Sequence, residues 1–114
     1  MKTLLISGRN AAVPDALRDV ITRGSTSVDE REPTDVDASV LLADVDRIVF
    51  WSSGDSAIRA LATRCAGIER GEGRDAIVFI TTDAAERVTG LSEAELFIWP
   101  RDEDRLMMAF MTGA

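Results

Sequence analysis

The sequence predicts an α/β fold built on a parallel β-sheet, and two observations lead to this prediction. Four short apolar runs occur along the chain without any alternation of polar and apolar residues, at residues 3–6, 48–51, 76–80 and 96–99. Stretches with the apolar spacing of amphipathic helices lie between them. Unbroken apolar strands are buried on both faces, which is typical of parallel sheets covered by helices.

Five helices are predicted from apolar spacing and from capping residues. In the first, apolar residues lie at i, i+4, i+7 and i+8 from Val13, and Gly24 can end the helix. Pro100 precedes the last helix, whose first turn is acidic and therefore suits the helix dipole. This last helix is predicted over residues 101–111. The three helices between the first and the last are predicted over residues 37–46, 58–68 and 83–88.

A short edge strand is predicted over residues 26–30, TSVDE. With it, a strand followed by a helix repeats five times along the chain. Right-handed crossovers with helices on both faces then give a three-layer α/β/α sandwich. The expected fold is flavodoxin-like, with five parallel strands in the order 2-1-3-4-5 and a single domain over residues 1–114.

The composition excludes several classes of function. The chain has 20 acidic and 13 basic residues and a net charge of −7, so neither nucleic acid nor an anionic membrane surface is an expected partner. It has no histidine and one cysteine, which excludes His-based catalysis and Cys-rich metal sites. No metal or cofactor is expected. No apolar run reaches the roughly 18 residues that cross a bilayer, and the cytoplasm is the expected location.

Small polar residues follow three neighbouring strands of the predicted sheet. Ligands of such sheets bind outside the carboxyl ends of the strands, where backbone amides and a helix N-terminus favour anions. The candidate anion pocket consists of Ser7, Gly8, Arg9, Ser52, Ser53 and Thr81, with Trp51, Trp99, Asp55 and Asp83 at its rim.

Simpler interpretations of the same residues stay open. Serine, glycine and aspartate are ordinary turn and capping residues between a strand and a helix. Helix capping explains Asp55 and Asp83 without a ligand. The two tryptophans would then fill space, and Cys65 lies on the apolar face of its helix as an inert core residue.

Four stretches carry a family resemblance: MKTLLISGRNAAVPDALRDVITRG, DRIVFW, IVFITT and VTGLSEAELFIWP. With them, the chain resembles a response-regulator receiver domain along nearly its whole length. MKTLLISGRNAAVPDALRDVITRG resembles the opening strand, acidic pair and first helix of a receiver. DRIVFW resembles the third strand, which ends at the phosphoacceptor aspartate, and IVFITT resembles the fourth, which ends at a Thr or Ser. VTGLSEAELFIWP resembles the stretch through the fifth strand to a Lys-Pro pair, about two residues shorter here.

At the matching positions the receiver chemistry is mostly missing. Ser7 and Gly8 stand where the acidic pair would be, and Trp51, or Ser52 if the alignment shifts by one, replaces the phosphoacceptor. Trp99 replaces the lysine, and only Thr81 keeps its functional identity. The resemblance therefore implies a pseudo-receiver without catalytic residues, which cannot autophosphorylate by the usual route.

The last helix offers a candidate interface. Leu106 and Phe110 can face the sheet, and Met107, Met108 and Met111 then cover much of the remaining surface. Methionine suits adaptable contacts between proteins, although neighbouring elements of the same chain could also cover these side chains. In receivers this helix belongs to the usual dimerisation face, so the resemblance implies a homodimer.

Two functions of different classes follow from the sequence. The first is a non-catalytic, receiver-like signalling or protein-interaction module that acts without phosphorylation, through a protein partner and through self-association. The second is a small-anion or nucleotide binding protein, or a minor enzyme, that uses the Ser/Gly/Thr pocket. The first is the leading hypothesis, so the chain is not expected to be an enzyme.

Overall fold

The computed structural model describes residues 2–8, 12–32, 47–53, 56–67, 76–83, 85, 88, 90, 91 and 95–112. Within these ranges the chain forms five strands and three helices. The strands are β1 (Lys2–Ser7), β2 (Ser27–Arg31), β3 (Arg47–Ser52), β4 (Ala76–Thr81) and β5 (Leu96–Ile98). The helices are α1 (Asp15–Arg23), α2 (Ser56–Gly67) and α3 (Glu103–Thr112).

The five strands form one parallel sheet in the order β2-β1-β3-β4-β5. This order confirms the flavodoxin-like α/β fold that the apolar runs predict. Each predicted strand is found within one residue of its expected ends. The central strands are inaccessible to solvent on both faces, and all six residues of β3 are buried.

The sheet separates two apolar cores, because successive side chains of a strand point to opposite faces. The α2-side core contains Leu4 and Ile6 of β1, beneath α2. The α1/α3-side core contains Leu5, with apolar residues of α1 and α3 packed over it. Cys65 lies fully buried in the α2-side core, as its place on the helix predicts.

The first helix ends where the sequence predicts, but the reason for glycine there is packing. Gly24 follows α1 and its amide donates to the carbonyl of Val20 at 3.2 Å. Its φ of −86° is open to any residue. A Cβ at this position would lie 2.7 Å from Cβ of Phe110 in α3. Glycine is therefore required because α3 approaches the end of α1 closely.

Two predicted helices are not established by the described residues. The helix predicted over residues 37–46 lies outside them. Of the helix predicted over residues 83–88, the structure describes only Asp83, Ala85 and Val88, and none of the three is helical. Among the described helices, none has the length and apolar character needed to cross a membrane.

Candidate functional site

The carboxyl ends of β1, β3 and β4 lie side by side, at the edge where the sequence predicts a site. Ser7 of β1 is the register partner of Trp51 in β3. Ser52, the next residue of β3, is the register partner of Thr81 in β4. The sheet thus brings residues from three strand ends into one row.

Strand alternation divides this row between the two faces of the sheet. Trp51 lies in the α1/α3-side core, and Ser7, its register partner, points to the same face. Ser52 and Thr81 point to the α2 side and are fully buried. The hydroxyl of Ser7 therefore does not converge with those of Ser52 and Thr81. Gly8 is buried and Ser53 is exposed, whereas Arg9 and Asp55 lie outside the described residues.

An ion pair that sequence reasoning did not identify occupies the Ser7 side of the rim. Glu30 of β2 accepts two hydrogen bonds from Arg18 of α1, at 2.6 Å between Nη1 and Oε2 and 3.1 Å between Nη2 and Oε1. The Ser7 hydroxyl donates to Oε1 of the same carboxylate at 3.3 Å. The hydrogen bond from Arg18 lowers the pKa of Glu30 despite the opposing effect of partial burial. The Ser7 hydroxyl proton is therefore used by this carboxylate and not offered to an anion.

The indole of Trp51 fills the space behind the rim on the α1/α3 side. The residue is only 3% exposed, and its Nε1 has no hydrogen-bond partner among the described residues. Trp99 is half-buried and packs against the same core. Burying a donor without a partner costs free energy, so the ring is held there by its apolar contacts. This arrangement fits the interpretation of the two tryptophans as space-filling residues.

Of the two acidic residues predicted at the rim, the structure describes Asp83, and its side chain forms part of a turn. Asp83 is exposed, and its Oδ1 accepts a hydrogen bond from the Ala85 amide at 2.9 Å. The Asp83 amide in turn donates to Oγ1 of Thr81 at 3.1 Å. In the part of the chain that the structure covers, no three His, Cys, Asp or Glu side chains are placed to hold a metal ion.

The candidate interface on α3 is partly exposed. Leu106 and Phe110 are buried against the sheet, as the sequence predicts, and Met107 is half-buried. Met108 is 65% exposed and is the one exposed large apolar side chain among the described residues. The side chain of Met111 is outside the described set.

A polar clamp holds α3 against β5. The guanidinium of Arg105 lies over the Phe97 ring, 4.3 Å from its centroid, and donates to the Leu96 carbonyl. Asp102, directly before α3, accepts a hydrogen bond from the Ile98 amide at 2.8 Å. The same bond lowers the pKa of the Asp102 carboxyl. These contacts fix the orientation of α3 and therefore the direction in which Met108 points.

A groove of about 390 Å³ lies between α1 and β2. Two of its hydroxyls already serve the helix, because Thr22 donates to the Arg18 carbonyl and Ser25 to the Ile21 carbonyl. Arg18 and Glu30 at its rim bind each other. The lining residues are Leu5, Arg18, Ile21, Thr22, Ser25, Thr26, Ser27, Val28 and Glu30.

A scan of the chain against protein-family models, a search of curated proteins and a search of solved structures each found no match. The function is therefore inferred from the residues of the chain itself.

Replacing Glu30 by Gln should lower the free energy of unfolding by about 0.5 kcal/mol at pH 7, because the ion pair with Arg18 is largely exposed to solvent. Because the pKa of Glu30 is lower in the folded chain than in the unfolded chain, its ionised carboxylate stabilises the fold at pH values above the ordinary titration range of glutamate. This contribution is lost as the pH falls below about 4.3, where the unfolded chain takes up the proton first.

Urea unfolding of both proteins at pH 7 and at pH 3 measures this difference, which should shrink at the lower pH. Asp19→Asn is a suitable control, since it removes an ion pair that stays within α1. Equal stability of the wild type and Glu30→Gln at pH 7 would contradict a stabilising role of the pair.

Replacing Trp51 by Phe should change the free energy of unfolding by less than about 1.5 kcal/mol, because it keeps an aromatic ring and removes the unpartnered N–H. Trp51→Ala should cost about 3–5 kcal/mol, since it leaves a cavity. Urea unfolding followed by circular dichroism compares the two. If Trp51→Phe is as damaging as Trp51→Ala, the loss of the aromatic ring is not what makes Trp51→Ala unstable, and the space-filling interpretation is wrong.

Proposed function

We propose that this chain is a non-catalytic, receiver-like protein-interaction module that acts without phosphorylation and associates with a second copy of itself. The observation that carries the proposal is the burial of Trp51 and Ser52, the two alternatives for the phosphoacceptor position. A phosphoacceptor must be reached by its phosphodonor from solvent. The module is proposed to act in the cytoplasm.

The chemistry of the rim supports the non-catalytic part of the proposal. Ser7 and Gly8 supply no carboxylate for magnesium, which prefers hard oxygen ligands. The carboxylate that accepts a hydrogen bond from Ser7 is that of Glu30, and it is bound by Arg18. Trp99 lies where the resemblance would place the lysine. Phosphoryl transfer depends on such groups for positioning and charge stabilisation.

The exposed face of α3 supports the interaction part of the proposal. Met108 presents an apolar side chain to solvent, and the exposed Asp104 lies one turn before it on the same face of the helix. Such a patch can pair with a copy of itself, since a two-fold axis brings the same residues of both subunits together. Methionine adapts readily to such contacts.

The alternative, a small-anion or nucleotide binding protein, has less support from the geometry. Ser52 and Thr81 are register partners on one face, but both are fully buried. On the other face, Ser7 donates to a carboxylate. The described residues of the predicted pocket therefore do not form one anion-binding surface.

Self-association through α3 predicts that Met108→Glu converts a dimer into a folded monomer, because a charge at the centre of the contact would be buried without a partner. Sedimentation velocity at several protein concentrations measures this. The double variant Met107→Glu/Met111→Glu should behave in the same way.

Ala60→Glu is the matched control, since it adds the same charge at an exposed position of α2. It should leave the dimer intact. A dimer that persists in both methionine variants would place the interface elsewhere, and a monomeric wild type would overturn the proposed self-association.

Titration with magnesium and beryllofluoride should leave the tryptophan fluorescence unchanged, because Ser7 and Gly8 stand in place of the acidic pair and the buried Trp51 or Ser52 stands in place of the phosphoacceptor. Trp51 and Trp99 lie at this end of the sheet and would report an occupied site. A saturable response to beryllofluoride would contradict the non-catalytic proposal. A response to phosphate or nucleotides alone would favour the anion-binding alternative.

A further inference from the structure

We infer that the outer edge of β2, together with the groove between α1 and β2, binds an extended segment of a partner protein. The segment adds a further strand to the sheet, and its residues are alternately apolar and basic. This surface is separate from the contact proposed for α3, because α3 is attached to β5 at the opposite edge of the sheet.

The backbone of β2 is available for pairing on its outer side. β2 is the outermost strand of the sheet and pairs with β1 alone among the described strands. Four of its five residues are exposed to solvent, and Val28 is half-buried. An edge strand presents a row of N–H and C=O groups that its single neighbour does not use. Such a row is a template for one more strand, which gains affinity from main-chain hydrogen bonds.

The groove beside β2 receives the apolar side chains of the added strand. It has a volume of about 390 Å³, and its apolar lining comes from Leu5, Ile21 and Val28. The hydroxyls of Thr22 and Ser25 in the same lining donate to carbonyls of α1. An apolar side chain can therefore enter the groove without leaving these two donors unpaired.

Contacts between the elements around the groove fix its width before a ligand binds. Arg18 of α1 binds Glu30 of β2 at 2.6 Å between Nη1 and Oε2. Near the start of β1, the hydroxyls of Thr3 and Ser25 lie 2.6 Å apart and share a hydrogen bond. A surface that is already ordered loses little conformational entropy on binding.

The charges of β2 select the basic residues of the segment. Val28 packs against the α1/α3-side core, so Asp29 and Arg31 lie on the other face of the strand. They form an ion pair of 3.0 Å between Oδ2 and Nη2. Charges at an edge discourage unselective pairing. The net charge of −7 attracts a basic segment, and a basic residue on this face can contact Asp29.

The test measures the binding of a labelled peptide of about seven residues, long enough to span β2, to the full chain. The peptide alternates valine and lysine, and fluorescence anisotropy should show saturable binding. Two further peptides carry N-methyl groups on the valine nitrogens or on the lysine nitrogens. One of them should bind at least about tenfold more weakly than the other, because only one set of nitrogens faces β2.

Absence of saturable binding by the valine–lysine peptide would overturn the inference. Equal binding of the two methylated peptides would also overturn it, since a purely electrostatic attraction to the acidic chain does not distinguish them.

Two pairs of variants locate the contact. Asp29→Lys should weaken binding at least about threefold more than Asp104→Lys, which makes the same change of charge at an exposed position of α3. Thr22→Phe should weaken binding because it fills the groove. Thr63→Phe is its control, since Thr63 makes the same kind of hydrogen bond within α2. Far-ultraviolet circular dichroism shows whether each variant is folded, and equal effects within both pairs would contradict the proposed site.

Hydrogen exchange read by mass spectrometry provides a test without any substitution. The peptide should slow exchange in residues 27–31 and leave α3 unchanged. Protection of α3 instead would overturn the inference. Protection of residues 27–31 on concentrating the chain without peptide would also overturn it, because a second copy would then occupy the edge. The readout does not involve α3, so a failure of the proposed self-association is measured separately.

Discussion

The burial of β3 on both faces is the constraint on which the rest of this structure depends. All six of its residues are buried, so the sheet must be covered from both sides. Even Arg47, at the start of the strand, is 3% exposed. Its guanidinium lies 4.1 Å from the centroid of the Phe110 ring, and burial lowers its pKa. The aromatic face offers this cation a favourable contact away from water.

The same ring connects the covering helices to each other. Phe110 of α3 lies so close to Gly24 that a side chain at the end of α1 would collide with it. Arg105 and Asp102 then attach the start of α3 to β5. The position of α3 is thereby fixed at both ends, and Met108 is left on its outer face as a consequence of these contacts.

Successive side chains of a strand point to opposite faces of the sheet, and this alternation also decides which residues meet at the carboxyl edge. It sends Trp51 into one core and Ser52 towards the other. A polar residue at position 51 would have needed partners in the α1/α3-side core. The tryptophan fills this space with apolar surface, at the edge where parallel α/β sheets commonly bind ligands.

The sequence by itself determined the strands, their parallel order and the apolar faces of the described helices, because burial on both faces and helical spacing are properties of the local sequence. It also determined that α1 ends at Gly24 and that Cys65 lies in the core. Only the tertiary structure decided which strand-end side chains meet, since a pattern along one strand carries no information about the neighbouring side chains. The pairing of Arg18 with Glu30 depends on how α1 lies beside β2. In the same way, the apolar spacing of α3 left Met107 and Met108 alike outside the buried face, and only the elements packed beside the helix leave Met107 half-buried and Met108 exposed.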